Sequence, residues 1–508
     1  MTCPRRKRHT NTTCMLARRS RGIPDYGNIL RANMRMLRAI VLQEDRNFIK
    51  VWSKTSKSTI AYDSGKIYFE NYQSCYSCID THPQLLYKLP QRSKSEKIED
   101  ALQCSSPLEK SLSTPSDQKP CLLTLTANNW LYRLSAETGE TLQGVYLSPN
   151  PKFKYLQWDE YQDRFYVKSI QNKVAPFARQ AGITQNTVMH LAIFNVFPLE
   201  IVGMLEINKT VFGDTVTDVV LTQGTLAVSH STKTVKLYSF DRILSEFMTK
   251  RLALGQPSPF HEGRTVGDAP YGIPLNIVIK DCPPVLFEVS CSDHNVQIGG
   301  HPWHYIYTPP HKKHRGTYHI CSLAEGILAK NGIQDMDCCS LETDLIYLHP
   351  DESGRIIHVG PNTVKMLRCV SGLKSDSPSE VVEDFSITTC RSNVAPRVTV
   401  TSSGRTVKRI SQQLDDDPDQ ETFRTVEYED EVDLLALVVT DGEEGEGRAC
   451  VKLHDNSSGA LLKTIPLEQA WDVTYRNEMC FDKETIVHIE ERNNGFHCHV
   501  YKLQTEAK

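Results

Sequence analysis

Short apolar runs separated by turn residues recur along most of this sequence, and they indicate the kind of fold to expect. From Cys121 the chain reads as strand, Asn-Asn turn and strand, followed by a Thr-Gly turn and a third strand. Segments 345–368 and 397–410 each place a Ser-Gly-Arg turn before alternating apolar residues. The glycines of those turns, Gly354 and Gly404, are 50 positions apart. Repeats of ~40–50 residues are typical of β-propeller families.

We therefore predict a mainly β fold, a degenerate WD40-like β-propeller of about seven or eight blades, preceded by an N-terminal amphipathic helix. The sequence lacks the repeated Gly-His…Trp-Asp signature of WD40 propellers. Separate β-sandwiches or β-barrels, however, explain the recurring strands and turns less well than a propeller does. Ring closure would remove the exposed edges of a long antiparallel array. The propeller is expected to span 46–508, with irregular loops at 91–119, 241–270 and 371–395.

Composition excludes several classes of protein. The 508 residues are 39% hydrophobic, which is too high for wholesale disorder. The net charge of -3 argues against a whole surface that binds nucleic acid, so we predict no direct nucleic-acid partner. The 16 cysteines are scattered rather than dense in a short chain, which indicates reduced thiols and not a disulfide framework.

The near-neutral net charge conceals one strongly basic segment and one strongly acidic segment. Residues 1–38 contain ten Arg or Lys against one acid, and 1–24 is predicted to be a disordered basic arm. Its cluster Arg5, Arg6, Lys7 and Arg8 has the composition of a nuclear import signal or a polyanion-binding arm, although a solvated tail explains it equally well. We expect a nuclear, even nucleolar, location with some protein in the cytoplasm.

The other of these segments is acidic. Segment 415–433 carries ten carboxylates against Arg424, and 441–447 is acidic as well. Such runs are usually solvated, self-repelling loops, and docking of a basic partner is the alternative.

The segment 25–45 predicts an amphipathic helix. Leu30, Met34, Leu37 and Val41 recur at intervals of four, three and four residues, while arginines occupy other angles. Such a helix either packs on the body that follows it or offers its apolar stripe to a groove of a partner.

Catalytic signatures are missing. The sequence contains no P-loop, dinucleotide fingerprint, Gly-x-Ser-x-Gly elbow, HExxH helix or kinase set. His301, His304 and the histidines and cysteines up to Cys339 could suggest zinc, but adjacent Cys338 and Cys339 would point opposite ways on a strand. We predict no enzyme activity, no metal and no cofactor.

Residues 180–199 lack charged side chains over about the length of a bilayer crossing. They also contain several polar side chains, among them Gln180 and His190, and a proline, all costly in hydrocarbon, so a buried strand pair is the better interpretation. A multi-pass membrane protein remains an alternative, though a disfavoured one.

Long segments of the chain resemble one family of proteins. They include RSKSEKIEDAL (92–102), QIGGHPWHYI (297–306), LAKNGIQDMDCCSLETD (328–344), HPDESGRIIHVGPN (349–362), LDDDPDQETF (414–423) and IPLEQAWDVTY (465–475). They are similar to the associated factors that dock on the damage-specific DNA-binding protein one adaptor of cullin-four ubiquitin ligases. The resemblance implies a non-catalytic substrate receptor, which clips to the adaptor and presents a target protein for ubiquitination. A propeller scaffold without a ligase link is the alternative.

The resemblance also implies where the adaptor binds. Many receptors of this family insert an N-terminal helix into a cleft of the adaptor, which assigns that role to Leu30, Met34, Leu37 and Val41. The family's docking signature is Trp-Asp-x-Arg, and here Trp130 and Arg133 match it while a leucine replaces the Asp. Trp130 and Arg133 are expected to contribute at a blade rim, and the identity of the target protein stays open.

Overall fold

The computed structural model describes much of the chain beyond the first 25 residues. The described ranges are 26–63, 65–89, 96–104, 121–159, 164–171, 186–195, 198–291, 296–300, 303–310, 317–323, 325–336, 343–351, 353–371, 378–389, 399–400, 406–407, 421–440, 448–472 and 474–505.

Strands dominate these ranges. In the first part of the chain they are β1 Arg46–Ser56, β2 Ala61–Asp63, β3 Lys66–Phe69, β4 Ser74–Ser77, β5 Gln84–Lys88, β6 Ile98–Cys104, β7 Cys121–Thr126, β8 Trp130–Ser135, β9 Thr141–Tyr146, β10 Phe153–Asp159, β11 Arg164–Ser169, β12 Thr187–Asn195, β13 Glu200–Asn208, β14 Val216–Thr222, β15 Thr225–His230, β16 Thr234–Ser239 and β17 Val285–Ser290.

The remaining strands follow the same short-strand pattern. They are β18 Val296–Gly299, β19 His304–Tyr307, β20 Tyr318–Ser322, β21 Leu328–Gln334, β22 Leu345–Leu348, β23 Ile356–Val359, β24 Thr363–Val370, β25 Glu380–Thr388, β26 Thr399–Val400, β27 Thr406–Val407, β28 Thr422–Glu429, β29 Leu434–Thr440, β30 Ala449–Asp455, β31 Leu461–Pro466, β32 Arg476–Asp482, β33 Thr485–Arg492 and β34 Gly495–Thr505. The helices are α1 Tyr26–Val41, α2 Lys209–Phe212 and α3 Phe240–Phe247.

Two compact units contain these elements. The first unit comprises Lys66–Ser77 and Pro83–His294, and the second comprises the described residues up to Gly65, Cys78–His82 and Asn295–Lys508. Within the first unit, consecutive strands pair in the antiparallel sheets β6–β9, β10–β13 and β14–β17, and β3, β4 and β5 form a further ladder.

The second unit follows the same plan. Its sheets are β18–β21, β22–β25 and β28–β31, and the first two meet through one parallel bridge between Lys330 and Glu380. The strand β1 pairs with β34 and completes the sheet of β32, β33 and β34. A four-stranded antiparallel meander is the blade of a β-propeller, so the predicted propeller-type, mainly β fold with its preceding helix is confirmed.

The strand β29 illustrates why these sequences form blades. All of its residues, LLALVVT, are buried. Leu434, Ala436 and Val438 belong to one hydrophobic cluster, whereas alternate residues from Leu435 to Val439 belong to another. Side chains alternate between the two faces of a strand, so a continuous apolar run is what a strand buried on both faces requires.

Some predicted loops contain regular structure instead. The loop predicted for 91–119 is wrong at Ile98–Cys104, which forms β6, and the one predicted for 371–395 is wrong at Glu380–Thr388, which forms β25. In both strands acidic residues interrupt the apolar alternation, which hid the β signal. The predicted loop 241–270 begins inside helix α3, and the acidic segment 415–433 contains β28. The acidic segment 441–447 lies outside the described residues.

Part of the apolar segment 180–199 lies in a pair of antiparallel strands. Thr187–Asn195 forms β12, which pairs with β13 in the first unit, as the strand interpretation predicts. Among the described residues, no helix combines the length and the apolar character that a membrane crossing requires.

Candidate adaptor-docking surface

The last turn of helix α1 packs on the second unit. Val41 is 1% exposed and lies in the cluster of β29, β30 and β32, and Leu37 and Leu42 pack partly against the same cluster. The apolar stripe predicted from sequence therefore has two parts. Leu37 and Val41 hold the helix on its own protein, so neither side chain is free to enter a partner's cleft while this packing persists.

A lysine fixes the end of the helix. Lys463 Nζ on β31 donates to the carbonyl oxygens of Val41 and Gln43, both at 3.1 Å, and to that of Arg46. The last carbonyls of a helix have no partner within it, and a lysine ammonium has three donors. Lys463 thus satisfies these acceptors and places a positive charge at the negative end of the helix dipole.

An arginine one turn earlier makes a second attachment. The Arg38 guanidinium donates to the carbonyl oxygen of Asp433 at 3.0 Å and pairs with the carboxylate of Asp455. Burial alone would raise the pKa of Asp455, but hydrogen bonds from Ser457, Ser458 and Arg38 hold that pKa well below its usual value. Asp455 is therefore ionised, and it pairs with Arg38 throughout the physiological range.

The opposite face of α1 is open to solvent. Met36 is 59% exposed, Arg35 and Ala39 are exposed as well, and Met34 is half-buried. Leu30 lies on the helix, but its side chain is outside the described residues. The predicted docking residues thus separate along the helix into Leu37 and Val41, which pack on the second unit near its end, and residues closer to its start.

Exposed leucines lie where α1 meets its sheet. Leu461 and Leu462 of β31 are 53% and 40% exposed, and they immediately precede the capping Lys463. Leu461 lies opposite His454, next to the Asp455 that binds Arg38. These leucines are exposed apolar side chains at the surface of the second unit, next in sequence to the lysine that holds the end of α1.

The other predicted pair, Trp130 and Arg133, belongs to the first unit and does not form one surface. Both lie on β8 three residues apart, so their side chains point to opposite faces of the sheet. Trp130 is half-buried and stacks on Tyr132 with ring centroids 5.6 Å apart. Arg133 is only 4% exposed. Its guanidinium is therefore part of the sheet interior and not of a rim.

The sequence contains two Trp-Asp pairs, Trp158-Asp159 and Trp471-Asp472, and residues of both pairs make contacts inside the fold. Asp159 is fully buried and accepts hydrogen bonds from the backbone nitrogen of Gly224, in the β14–β15 turn, at 3.3 Å. Trp471 is buried in the second unit and stacks on His488, with ring centroids 4.7 Å apart. Asp159 thus ties a turn to a sheet in the first unit, and Trp471 packs against a strand of the second.

The remaining sequence predictions fall partly outside the structure. Arg5, Arg6, Lys7 and Arg8 lie outside the described residues. Within the part of the chain that the structure describes, no three or more His, Cys, Asp or Glu side chains form a group able to hold a metal ion. Sequence reasoning missed Arg38, Asp455 and Lys463, because no local pattern links residues more than 400 positions apart.

The four-stranded antiparallel sheets, with an N-terminal helix packed on one of them, define the chain as a β-propeller protein. A family model described as DDB1- and CUL4-associated factor 17 matches residues 32–503. The chain belongs to this family.

Its curated relatives are similar over nearly their whole length. The DDB1- and CUL4-associated factor 17 of Danio rerio is 58% identical over 502 residues, covering 98% of this chain and 95% of the relative. The Homo sapiens protein of the same description is 50% identical over 502 residues, covering 98% and 96%. Among solved structures, the β-propeller domain of Cps50 (Swd1) from Myceliophteria thermophila is 8% identical with a TM-score of 0.35, covering 82% of this chain and 98% of that one.

Proposed function

We propose that this chain is a non-catalytic substrate receptor of a cullin-four ubiquitin ligase. It docks on the DDB1 adaptor and presents a target protein, and ubiquitin transfer belongs to other subunits of the complex. Relatives at 58% and 50% identity are named for their association with DDB1 and CUL4, which supports the assignment. The observation that carries the docking role is helix α1, which is held at its end and exposes Met36 on its open face.

The contacts with the adaptor come from the first three turns of α1. Leu30, Met34 and Met36 contact the adaptor, while Leu37 and Val41 keep the helix on the second unit. A helix seated in a groove is a common recognition mode, and its apolar anchors supply most of the affinity. Trp130 is a further contact on the first unit, and Arg133 supports its strand from inside.

An aspartate on the open face of α1 tests this proposal. Met36→Asp places a charge where the adaptor would bury a thioether, and we expect at least about tenfold weaker binding of purified adaptor, since an unpaired buried charge is costly. The fold should persist because Met36 is 59% exposed. The matched control is Ile327→Asp, at a 52% exposed side chain outside α1. Equal adaptor binding by both variants and the native chain would refute docking through α1.

We also propose that Arg5, Arg6, Lys7 and Arg8 direct the receptor to the nucleus. Four consecutive basic side chains suit recognition by an import receptor through charge. Replacing all four by Ala in the fluorescently tagged full chain should move most of the protein to the cytoplasm. Replacing Arg18 and Arg19 serves as the control. A nuclear fraction unchanged by the fourfold replacement would contradict the assignment.

A further inference from the structure

We infer that Arg38 is the positioning residue of the docking helix: it fixes the direction in which α1 is presented to the adaptor. The inference rests on the proposed docking through α1 and adds how that contact is organised. Lys463 holds only the last carbonyl of the helix and those of Gln43 and Arg46 beyond it, and this one attachment would leave the helix free to pivot. Arg38 adds a second attachment one turn earlier, and two points define an axis.

The geometry makes that direction matter. From Tyr26 to Arg38 the helix spans roughly 18 Å at about 1.5 Å per residue. A pivot of about 10° at the anchor would therefore move its far end by about 3 Å. Apolar contacts of Leu37 and Val41 resist separation but are not directional. A charged hydrogen bond with a planar guanidinium is directional, which is why Arg38 can set the angle.

Both acceptors of Arg38 are held in place by their own bonds. Asp433 has a left-handed backbone, with φ 52°, at the end of the β28–β29 turn, and its carboxylate accepts from Tyr428 at 3.1 Å and Asn456 at 2.7 Å. The other acceptor, Asp455, binds the turn that follows β30, accepting from the backbone nitrogen of Ser458 at 2.8 Å. The two acceptors are thus held in place by bonds that do not involve Arg38, so its binding requires little loss of their conformational freedom.

A neighbouring sheet reinforces this site. Arg355, the residue before β23, donates to the carbonyl oxygen and the Oδ1 atom of Asn456 at 2.8 and 3.0 Å. His349 Nε2 hydrogen-bonds the same Oδ1 at 2.8 Å. Asn456 is 4% exposed and links this pair to Asp433. The anchor of α1 is therefore tied to the β22–β25 and β28–β31 sheets together, and it moves with both.

The test compares variants of the full chain for binding of purified adaptor and for hydrogen exchange of α1. Arg38→Met keeps the apolar stem and removes the guanidinium, and we expect about tenfold weaker binding with faster exchange confined to α1. Arg38→Lys keeps the charge and should restore part of the affinity. The control is Arg368→Met, which breaks an exposed pair with Asp384 on another sheet of the same unit.

A double-mutant cycle shows whether Arg38 acts through Asp455. Asp455→Asn should weaken binding less than Arg38→Met, because it leaves the bond from Arg38 to the Asp433 carbonyl. The double variant should be no weaker than Arg38→Met alone, since Asp455 acts through Arg38. Additive losses would overturn the inference. So would native affinity of Arg38→Met in a series in which Met36→Asp fails to bind. If Met36→Asp binds the adaptor with native affinity, docking through α1 is refuted, and the proposed role of Arg38 is refuted with it.

Discussion

At the scale of single residues, buried polar side chains are the least expected feature of this chain and the ones that link distant segments. His488 is fully buried on β33, and its Nε2 lies 2.9 Å from Asn477 Oδ1. The amide nitrogen of Asn477 donates to Asp472 and Tyr475 carbonyls, so its oxygen is the acceptor and His488 Nε2 carries the proton. Burial keeps this histidine neutral at physiological pH, because it disfavours the charged ring and lowers its pKa.

We predict that the fold loses stability as the pH falls below about 6.5. Burial, with the nearby positive charges of His499 and Arg492, lowers the pKa of His488 to about 3, and burial lowers that of His499 to about 4. In the unfolded chain these two histidines have a pKa near 6.5, so on acidification they bind protons there before they do so in the folded chain. The free energy of unfolding therefore falls by up to about 1.4 kcal/mol per pH unit for each group between pH 6.5 and its folded pKa, and is unaffected above pH 6.5.

Urea unfolding at pH 7.5, 6.0 and 5.0 checks this. His488→Gln keeps a donor for Asn477 but does not titrate, so its stability should fall less steeply with acid than that of the native chain. His261→Gln, at an exposed loop position, is the control and should follow the native slope. Parallel slopes for His488→Gln and the native chain would show that another group dominates the acid response.

At the scale of elements, the sequence predicted what local chemistry determines and missed what distant contacts determine. Strands such as β7, β8 and β9 follow from apolar runs between turn residues, and the helix predicted for 25–45 forms over Tyr26–Val41. The strand β6 was missed because Glu99 and Asp100 break its alternation. Asp100 in fact uses its carboxylate within the fold, accepting from the backbone nitrogens of Ala101 and Leu156.

The candidate site divides in the same way. Periodicity indicated an apolar stripe on α1, but it cannot tell which part of a stripe packs inward. That depends on Arg38 and Lys463, whose partners are 395 to 422 positions away in the chain. The match of Trp130 and Arg133 to a docking signature was equally incomplete, because a three-residue interval on a strand separates the two side chains onto opposite faces.

At the scale of the whole molecule, the chain ends determine the last sheet of the second unit. Strand β1 pairs with β34 from Arg46 and Thr505 to Ser56 and Phe496. Phe48 of β1 is 4% exposed in the same cluster as Val41. The helix and this strand are therefore consecutive segments with different roles. Helix α1 exposes Met36 at the surface, and β1 pairs with β34, whose edge would otherwise be exposed.

Two truncations separate these roles. A chain that starts at residue 46 keeps β1 and should fold, with a melting temperature lowered by a few degrees because Val41 leaves the core, and without adaptor binding. A chain that starts at residue 58 lacks β1, which opens the edge of β34 and removes Phe48 from the cluster. We expect this shorter chain to lose its cooperative thermal transition or to aggregate, as followed by circular dichroism and size-exclusion chromatography. A cooperative transition at the same temperature for both truncations would contradict a structural role for β1, and a chain starting at residue 26 is the control.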